Sequence, residues 1–135
     1  MIDEHIRRQL IEAAARAKEA AYVPYSRFRV GAALLAENGS VFTGCNIENA
    51  AFSPTNCAER TAVFKAISEG VREFAAIAVI SDSADYVSPC GVCRQVLAEF
   101  CAPDFPVLLC RADGTYRETT LAELLPESFG SEAFS

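Results

Sequence analysis

The first 21 residues carry apolar and charged positions with the spacing of an amphipathic helix. The apolar positions recur three or four residues apart, at Ile6, Leu10, Ala13, Ala14 and Ala17. Charged residues fill the opposite face, as expected of a helix lying on a protein core. Asp3 stands where a side-chain oxygen can cap a first helical turn. The pattern therefore predicts a helix from about Asp3 to Ala21, which ends at a loop containing Pro24.

Two stretches with strand-like composition follow, and the pattern then becomes helical again. The stretches Phe28–Ala36 and Ser40–Asn46 are joined by Asn38-Gly39, a residue pair favoured in two-residue hairpin turns. Helical spacing returns over Thr55–Gly70, and the glycine stands where helix C-termini favour it. This region predicts a hairpin followed by a second helix.

Short apolar runs separated by another helical segment make up the next part of the chain. Phe74–Ile80 and Pro106–Arg111 are short and apolar, as expected of strands covered on both faces. Between them, Ser88-Pro89 predicts a helix start with serine as the N-cap and proline at the first helical position. This third helix is expected to carry Cys90 and to run to about Cys101.

The C-terminal part completes the order of elements. Asp113-Gly114 predicts a turn into a last strand near Thr115–Glu118, and Leu121–Leu125 is expected to form a short closing helix. The order αββαβαββα predicts an α/β fold with one mixed five-stranded sheet and helices on both faces. No linker or repeat divides the chain, so residues 1–135 are expected to form a single domain.

Composition and charge narrow the classes of partner. The chain has 135 residues, of which 51% are hydrophobic, enough for a core in a domain of this size. Its net charge of −6 disfavours binding to the phosphate backbone of nucleic acids. No apolar run approaches the roughly 20 residues needed to cross a membrane, and the charged N-terminus lacks a signal peptide's apolar segment. We therefore expect a cytoplasmic location with reduced thiols.

Three of the six cysteines have the placement of metal ligands. Cys90 and Cys93 are three residues apart at a predicted helix start, so their sulfurs lie on one face. Cys57 falls in the first turn of another predicted helix, where unpaired amide groups and the helix dipole favour thiolates. Three thiolates leave one position of a tetrahedral zinc open, as in catalytic sites. The single histidine, His5, has no companion ligand in the N-terminal helix and is expected to be a surface residue.

Glu59 supplies the second half of this constellation. A carboxylate close to the zinc but not bound to it can take a proton from water and return it. Zinc deaminases carry this glutamate two residues after the first ligand, followed later by P-C-x-x-C. Here the pattern reads Cys57-x-Glu59 and Pro89-Cys90-x-x-Cys93. It predicts one Zn²⁺ per chain, held by the three cysteines, with Glu59 as the catalytic proton carrier.

The residues around this motif take different expected roles. Arg60 follows the glutamate, and a guanidinium that donates to the thiolates would restore part of the metal's Lewis acidity. It is therefore expected to tune the metal. Cys45, Cys101 and Cys110 sit in or beside apolar segments and are expected to be buried free thiols.

Segments beyond the zinc motif also follow a family pattern. They are FRVGAA at residues 28–33, GCNIENA at residues 44–50, Leu124-Leu125-Pro126 and Phe129. With the zinc motif, they make the chain resemble the small, homotetrameric, three-cysteine cytidine deaminases over nearly its whole length. The resemblance implies a three-layer α/β/α sandwich and a homotetramer with sites at subunit interfaces. It also implies zinc-dependent deamination of cytidine and deoxycytidine to uridine and deoxyuridine, with release of ammonia, in pyrimidine salvage.

The resemblance further implies a set of residues that contact the nucleoside. Asn46 and Glu48 would bind the sugar hydroxyls, and Phe28 would lie beside the pyrimidine. Ala58, inside the zinc motif, completes this group. By spacing alone, Asn46 and Glu48 could equally be turn residues after a strand, and Phe28 would be a core residue.

Two more aromatic residues are implied to reach the site of a neighbouring subunit. Phe129 would approach the base, and Phe52 would lie near the sugar. Many members of the family have tyrosine where this chain has Phe52, and phenylalanine cannot donate a hydroxyl contact. The preference between ribose and deoxyribose therefore stays open.

Other functions fit the sequence less well. A deaminase for an aminopyrimidine antibiotic such as blasticidin S would use the same chemistry, but Asn46 through Asn49 and Arg60 match the nucleoside pattern. A non-catalytic zinc or redox module would leave Glu59 unexplained and would lack a fourth ligand. A deaminase acting on polynucleotides would need a basic surface, and nucleotide substrates would need a phosphate-binding loop that the chain lacks.

Overall fold

A computed structural model describes residues 2–134 of the chain. The helices are α1 (Glu4–Lys18), α2 (Ala58–Ser68), α3 (Gly91–Phe100) and α4 (Leu121–Leu124), and a 3-10 helix spans Ser131–Phe134. The strands are β1 (Val30–Ala36), β2 (Val41–Cys45), β3 (Phe74–Ser81), β4 (Pro106–Cys110) and β5 (Tyr116–Thr120). They form one sheet in the order β2-β1-β3-β4-β5. Only β3 and β4 pair in parallel, so the predicted mixed five-stranded sheet is confirmed.

Helices cover both faces of this sheet. One core lies between α1 and the sheet and includes Leu10, Ala14, Ala78 and Ile80. The opposite core, under α2 and α3, includes Val63, Leu97, Ile77 and Val79. Successive residues of β3 thus enter alternate cores, because side chains along a strand point to opposite faces. The three-layer α/β/α sandwich is therefore confirmed.

Two glycines allow the helices to approach the strands closely. A Cβ atom added at Gly31 would lie 2.1 Å from the Ala14 carbonyl oxygen of α1. A Cβ atom at Gly44 would lie 2.4 Å from the Ala58 carbonyl oxygen and 2.6 Å from the Ala62 amide nitrogen, both in α2. Because only glycine fits at such distances, Gly44 fixes the first turn of α2 against β2.

The predicted start of the third helix is wrong by two residues. α3 begins at Gly91, and its N-cap is the extended Cys90 rather than Ser88. The Ser88 hydroxyl accepts a hydrogen bond from Arg94 Nη2 at 2.8 Å, and the Pro89 carbonyl accepts one from Arg94 Nε at 2.7 Å. Ser88-Pro89 is therefore held as a loop by a guanidinium four residues beyond Cys90.

Other boundaries differ at the edges of the predicted elements. α1 ends at Lys18 rather than Ala21, and Lys18 Nζ there pairs with Asp82 Oδ1 at 3.1 Å. β1 begins at Val30 rather than Phe28, because the Phe28 amide and carbonyl form hydrogen bonds with the Ser26 and Asn46 side chains instead of with a neighbouring strand. Within residues 2–134, no helix is both long enough and apolar enough to cross a bilayer.

Candidate active site

The three cysteines predicted as ligands lie together at the starts of two helices. Cys57 is the N-cap of α2, Cys90 is the N-cap of α3, and Cys93 is the third residue of α3. Their sulfurs all lie within 4.8 Å of one another, and Cys57 Sγ is 3.7 Å from Cys90 Sγ. Two thiolates on a tetrahedral zinc, each about 2.3 Å from the metal, are about 3.8 Å apart. The spacing of the sulfurs therefore fits a zinc ion.

The helix starts leave these sulfurs available to a metal. Neither Cys57 nor Cys90 makes a side-chain cap hydrogen bond within the described chain. The unpaired amides of both first turns place partial positive charge near the sulfurs, which stabilises thiolates. Across residues 2–134, these cysteines are the single group of three or more potential ligands of this kind. His5 lies outside the group, as expected.

The thiols influence one another's ionisation. The pKa of Cys57 is lowered to about 5, first by a hydrogen bond from the Cys93 thiol and then, against the effect of burial, by Arg60 and Cys90. The pKa of Cys93 is raised, first by that same hydrogen bond to Cys57 and then by burial. One thiolate forms readily, and a second requires a cation to replace the proton. The donor set thus suits a divalent metal that prefers sulfur.

Arg60 lies against the sulfurs. Its Nη2 donates to Cys57 Sγ at 3.1 Å. Partial burial acts to lower the pKa of Arg60, but the hydrogen bonds and negative charges of Cys57 and Cys93 outweigh this effect and raise it. The guanidinium therefore stays charged and provides the positive partner that the thiolates need.

Glu59 occupies the second position of α2 and is only 4% exposed. The pKa of this carboxyl is raised to about 7, first by burial and to a smaller extent by the negative charge of Cys57. A carboxyl with such a pKa can both bind and release a proton near neutral pH. The site thus combines a three-sulfur metal position with a buried group that can carry protons.

Comparison with known proteins agrees with this geometry. Residues 4–109 match the zinc-binding region of cytidine and deoxycytidylate deaminases. The chain belongs to this deaminase family. The cytidine deaminase of Sporosarcina psychrophila is 59% identical over 127 residues, which cover 94% of this chain and 93% of that protein. The cytidine deaminase of Halalkalibacterium halodurans is 57% identical over 126 residues, covering 93% and 96%.

The solved structures lead to the same deaminase family. A crystal structure of cytidine deaminase from Burkholderia pseudomallei superposes with a TM-score of 0.88 at 49% sequence identity. The match covers 95% of this chain and 100% of that one. The α/β/α sandwich is therefore the fold of the cytidine deaminases.

Three residues that the resemblance predicts to contact the nucleoside lie close together, namely Phe28, Asn46 and Glu48. Asn46 Nδ2 donates to the Phe28 carbonyl at 2.8 Å, and its Oδ1 accepts from the Val30 amide at 2.9 Å. Glu48 Oε1 accepts from two backbone amides of the loop before Phe28. By spacing alone, Asn46 and Glu48 could equally have been turn residues after a strand. Spacing gave no indication that both side chains would hold the Phe28 loop.

Hydrogen bonding also acts on the ionisation of Glu48. The pKa of its carboxyl is lowered, first by the Ser26 hydroxyl and then, against the opposing effect of burial, by the Ser26 and Tyr25 amides. Glu48 is therefore a carboxylate at neutral pH, able to accept hydrogen bonds from hydroxyl groups.

The two aromatic residues predicted for neighbouring sites lie on the surface. Phe52 is 73% exposed and packs edge-on against Tyr25, with ring centroids 6.4 Å apart. Phe129 is 63% exposed and packs edge-on against Phe134, with centroids 5.9 Å apart. Such exposed aromatic side chains are available to another subunit. Ala58, by contrast, is fully buried at the start of α2.

The remaining cysteines are free thiols, as predicted, but they differ in burial. Cys110 is buried, whereas Cys45 and Cys101 are only half-buried. Burial raises the pKa of both Cys101 and Cys110 to about 12. Each therefore stays protonated and unreactive.

Sequence reasoning missed Arg94 and Gln95, which connect the zinc-binding motif to the C-terminal segment. In addition to its bonds to Ser88 and Pro89, Arg94 donates from Nη1 to the Leu124 carbonyl at 2.6 Å. Gln95 Nε2 donates to the Phe129 carbonyl at 2.9 Å. The only indication in the sequence was that Arg94 lies one helical turn after Cys90. A helical side chain leans back over the preceding turn, so Arg94 could have been expected to reach the loop before α3.

Proposed function

We propose that this chain catalyses the zinc-dependent hydrolytic deamination of cytidine and deoxycytidine to uridine and deoxyuridine. Water is consumed, and the exocyclic amino group leaves as ammonia. The observation that carries the proposal is the group of three cysteines at two helix starts, with the buried Glu59 beside it. The similarity to cytidine deaminases over more than nine-tenths of the chain supports the substrate class.

The chemistry divides between the metal position and Glu59. Zinc held by Cys57, Cys90 and Cys93 supplies Lewis-acid activation of water when bound. Glu59 takes the proton of the attacking water on a carboxylate oxygen and delivers it to the departing amino group. Burial excludes competing solvent protons from the carboxyl. Arg60 donates to the Cys57 sulfur and so offsets part of the thiolates' negative charge.

The same proposal assigns the nucleoside contacts. The Glu48 carboxylate and the Asn46 amide bind the sugar hydroxyls, and the Phe28 ring lies beside the pyrimidine. Ala58, at the start of α2, contacts the substrate. Support comes from the hydrogen bonds that join Phe28, Asn46 and Glu48 within one small region.

A homotetramer with sites at subunit interfaces is the second part of the proposal. Support comes from Phe52 and Phe129, whose exposed rings are apolar surface that a neighbouring subunit would cover. Phe129 is expected to reach the base and Phe52 the sugar of a neighbour's nucleoside. Sedimentation equilibrium combined with activity at the same concentration tests this assembly. A fully active monomer would contradict it.

The working unit is proposed to be a single domain over residues 1–135, acting in the cytoplasm in pyrimidine salvage. Support for one domain comes from the sheet, whose five strands include both halves of the chain. Support for the location comes from the six cysteines, which form no disulfides with one another.

A substrate panel tests the proposed reaction. The loss of ultraviolet absorbance is followed for cytidine, deoxycytidine, CMP and blasticidin S with the zinc-loaded protein. We expect turnover of cytidine and deoxycytidine, and little turnover of CMP or the antibiotic. Preferential turnover of blasticidin S would instead favour an antibiotic deaminase, and no turnover of any nucleoside would overturn the proposal.

A further inference from the structure

The Phe28 backbone is held by side chains at both of its polar groups. Its amide donates to the Ser26 hydroxyl oxygen at 3.0 Å, and its carbonyl accepts from Asn46 Nδ2 at 2.8 Å. The preceding residue, Arg27, has a left-handed φ of 58°, a conformation uncommon for residues other than glycine. Such conformations persist where surrounding contacts fix them, and they cluster at functional sites.

One hydroxyl group links this backbone to Glu48. Ser26 Oγ accepts from the Phe28 amide and donates to Glu48 Oε2. The other carboxylate oxygen, Glu48 Oε1, accepts from the Tyr25 and Ser26 amides at 3.0 and 3.1 Å. The carboxylate, the hydroxyl and the Phe28 amide therefore form one connected chain of hydrogen bonds.

This arrangement needs a group that donates and accepts through a single atom. Serine provides this with one hydroxyl, whereas alanine would leave the Phe28 amide and Glu48 Oε2 without their common partner. Residues 24–28 are exposed, so burial does little to fix their conformation. Hydrogen bonds are then the main interactions that hold the loop.

We infer that Ser26 is a positioning residue for nucleoside recognition, whose hydroxyl fixes Phe28 and Glu48 relative to each other. The inference rests on the proposed function, in which these two residues contact the base and the sugar. Ser26 itself contacts neither the metal nor the reacting atoms. It acts by keeping a base-contacting ring and a sugar-contacting carboxylate at a fixed separation before the nucleoside arrives.

Ser26→Ala should therefore weaken binding and leave the chemical step intact. We expect KM for cytidine to rise about tenfold, the scale of losing one hydrogen bond to a charged group. The value of kcat should stay within about twofold, because Phe28 and Glu48 hold ground state and transition state alike. Zinc content and the urea midpoint should match the wild type, since the loop is exposed.

Three further variants separate positioning from a general loop defect. Ser26→Thr keeps the hydroxyl and should restore most of the lost affinity. Ser68→Ala removes another serine side-chain hydrogen bond, to the Lys65 carbonyl at 2.8 Å at the end of α2, and should leave KM unchanged. In a Glu48→Gln background, Ser26→Ala should raise KM by less than about threefold, because the two residues act through one hydrogen bond.

A substrate lacking the ring hydroxyls sharpens the test. For 2′,3′-dideoxycytidine, the KM ratio between Ser26→Ala and wild type should fall below the ratio for cytidine, because Glu48 then has no ring hydroxyl to bind. Equal ratios for the two nucleosides, a KM matching that of Ser68→Ala, or a loss confined to kcat would each overturn the role of Ser26. A wild-type holoenzyme inactive on cytidine would overturn the proposed function itself, and the role of Ser26 with it.

Discussion

The helices of this protein begin in two different ways. α1 and α4 start with a side-chain oxygen that accepts a backbone hydrogen bond. Asp3 Oδ1 accepts from the Ile6 amide at 2.9 Å, and Thr120 Oγ1 accepts from the Glu123 amide at 3.3 Å. α2 and α3 start with Cys57 and Cys90, whose side chains make no such bond within residues 2–134. The first pair of helix starts has the interactions of ordinary stable helices, and the second pair is arranged for a ligand.

The difference indicates which stabilising interaction the metal site lacks and which interaction replaces it. A capping oxygen contributes about 1 kcal/mol to a helix, and the two cysteines forgo this contribution. The unpaired amides at their helix starts favour thiolates instead, and metal binding then contributes to folding. Stability at α2 and α3 should therefore depend on zinc, whereas stability at α1 should not.

Zinc removal is expected to have the largest effect, and it should act on the starts of α2 and α3 but not on the start of α1. Chelation should reduce cytidine turnover to the background rate, and added Zn²⁺ should restore it. Hydrogen exchange measured with and without zinc should show faster exchange in the first turns of α2 and α3 after removal, with α1 unchanged. Equal acceleration in all three helices would mean that the two kinds of helix start do not differ in this way.

Glu59→Gln should separate the metal from the chemistry at the start of α2. The amide keeps the shape of the side chain but cannot carry a proton, so turnover should fall at least about 10²-fold. Zinc content, measured by elemental analysis, should stay at the wild-type value. Turnover close to wild type would remove Glu59 from its proposed role.

Arg60→Gln should have a smaller effect at the same helix start. The variant loses the hydrogen bond to the Cys57 sulfur, and changes to such supporting partners reduce metal affinity or activity by about 10- to 100-fold. Arg60→Lys should recover only part of this loss, because an ammonium cannot reproduce the planar guanidinium. Steady-state turnover and a zinc competition titration measure both quantities. If Arg60→Lys and Arg60→Gln have the same turnover and the same zinc affinity, positive charge at this position is unimportant.

Asp3→Ala addresses the ordinary kind of helix start. Loss of the cap should lower the free energy of unfolding by about 1 kcal/mol and leave zinc content and turnover unchanged. Asp104→Ala, an exposed loop aspartate, serves as the matched control in urea unfolding. A loss of activity after Asp3→Ala would show that the helix starts are coupled.

Low pH should weaken the ion pairs that join α1 to the sheet. The pKa of Asp82 is lowered to about 2, first by its hydrogen bonds from Arg29 and also by Lys18. Because this pKa lies below the ordinary value of 3.8, the stabilisation is complete above about pH 4. It is lost as the pH falls towards 2. Asp82→Asn should therefore cost up to about 1 kcal/mol at pH 7, and the difference should shrink below pH 4 in parallel unfolding titrations.

The sequence was sufficient for features that depend on local spacing. The hairpin at Asn38-Gly39, the element order and the cysteine positions at helix starts follow from residue patterns that act within a few residues. The start of α3 did not follow, because Arg94 binds Ser88 and Pro89 and so overrides a strong local N-cap signal. Only the folded structure brings this guanidinium back over the loop.

The proposed nucleoside contacts were harder to predict for the same reason. The proposed roles of Asn46 and Glu48 came from resemblance, and by spacing alone both could equally have been turn residues. The left-handed conformation of Arg27 and the link through Ser26 depend on contacts between residues about 20 positions apart in the chain. The pattern of hydrophobic residues does not indicate such contacts, and nothing in a single sequence distinguishes a functional exposed serine from any other.

The zinc content of cysteine variants tests the central claim most directly. Cys57→Ser replaces the N-cap of α2 with a residue that caps helices well, while Cys45→Ser changes a half-buried cysteine outside the group. Elemental analysis should find about one zinc per chain in the wild type and in Cys45→Ser, and little in Cys57→Ser. Stoichiometric zinc in Cys57→Ser, or its loss in Cys45→Ser alone, would contradict the assignment of the metal to Cys57, Cys90 and Cys93.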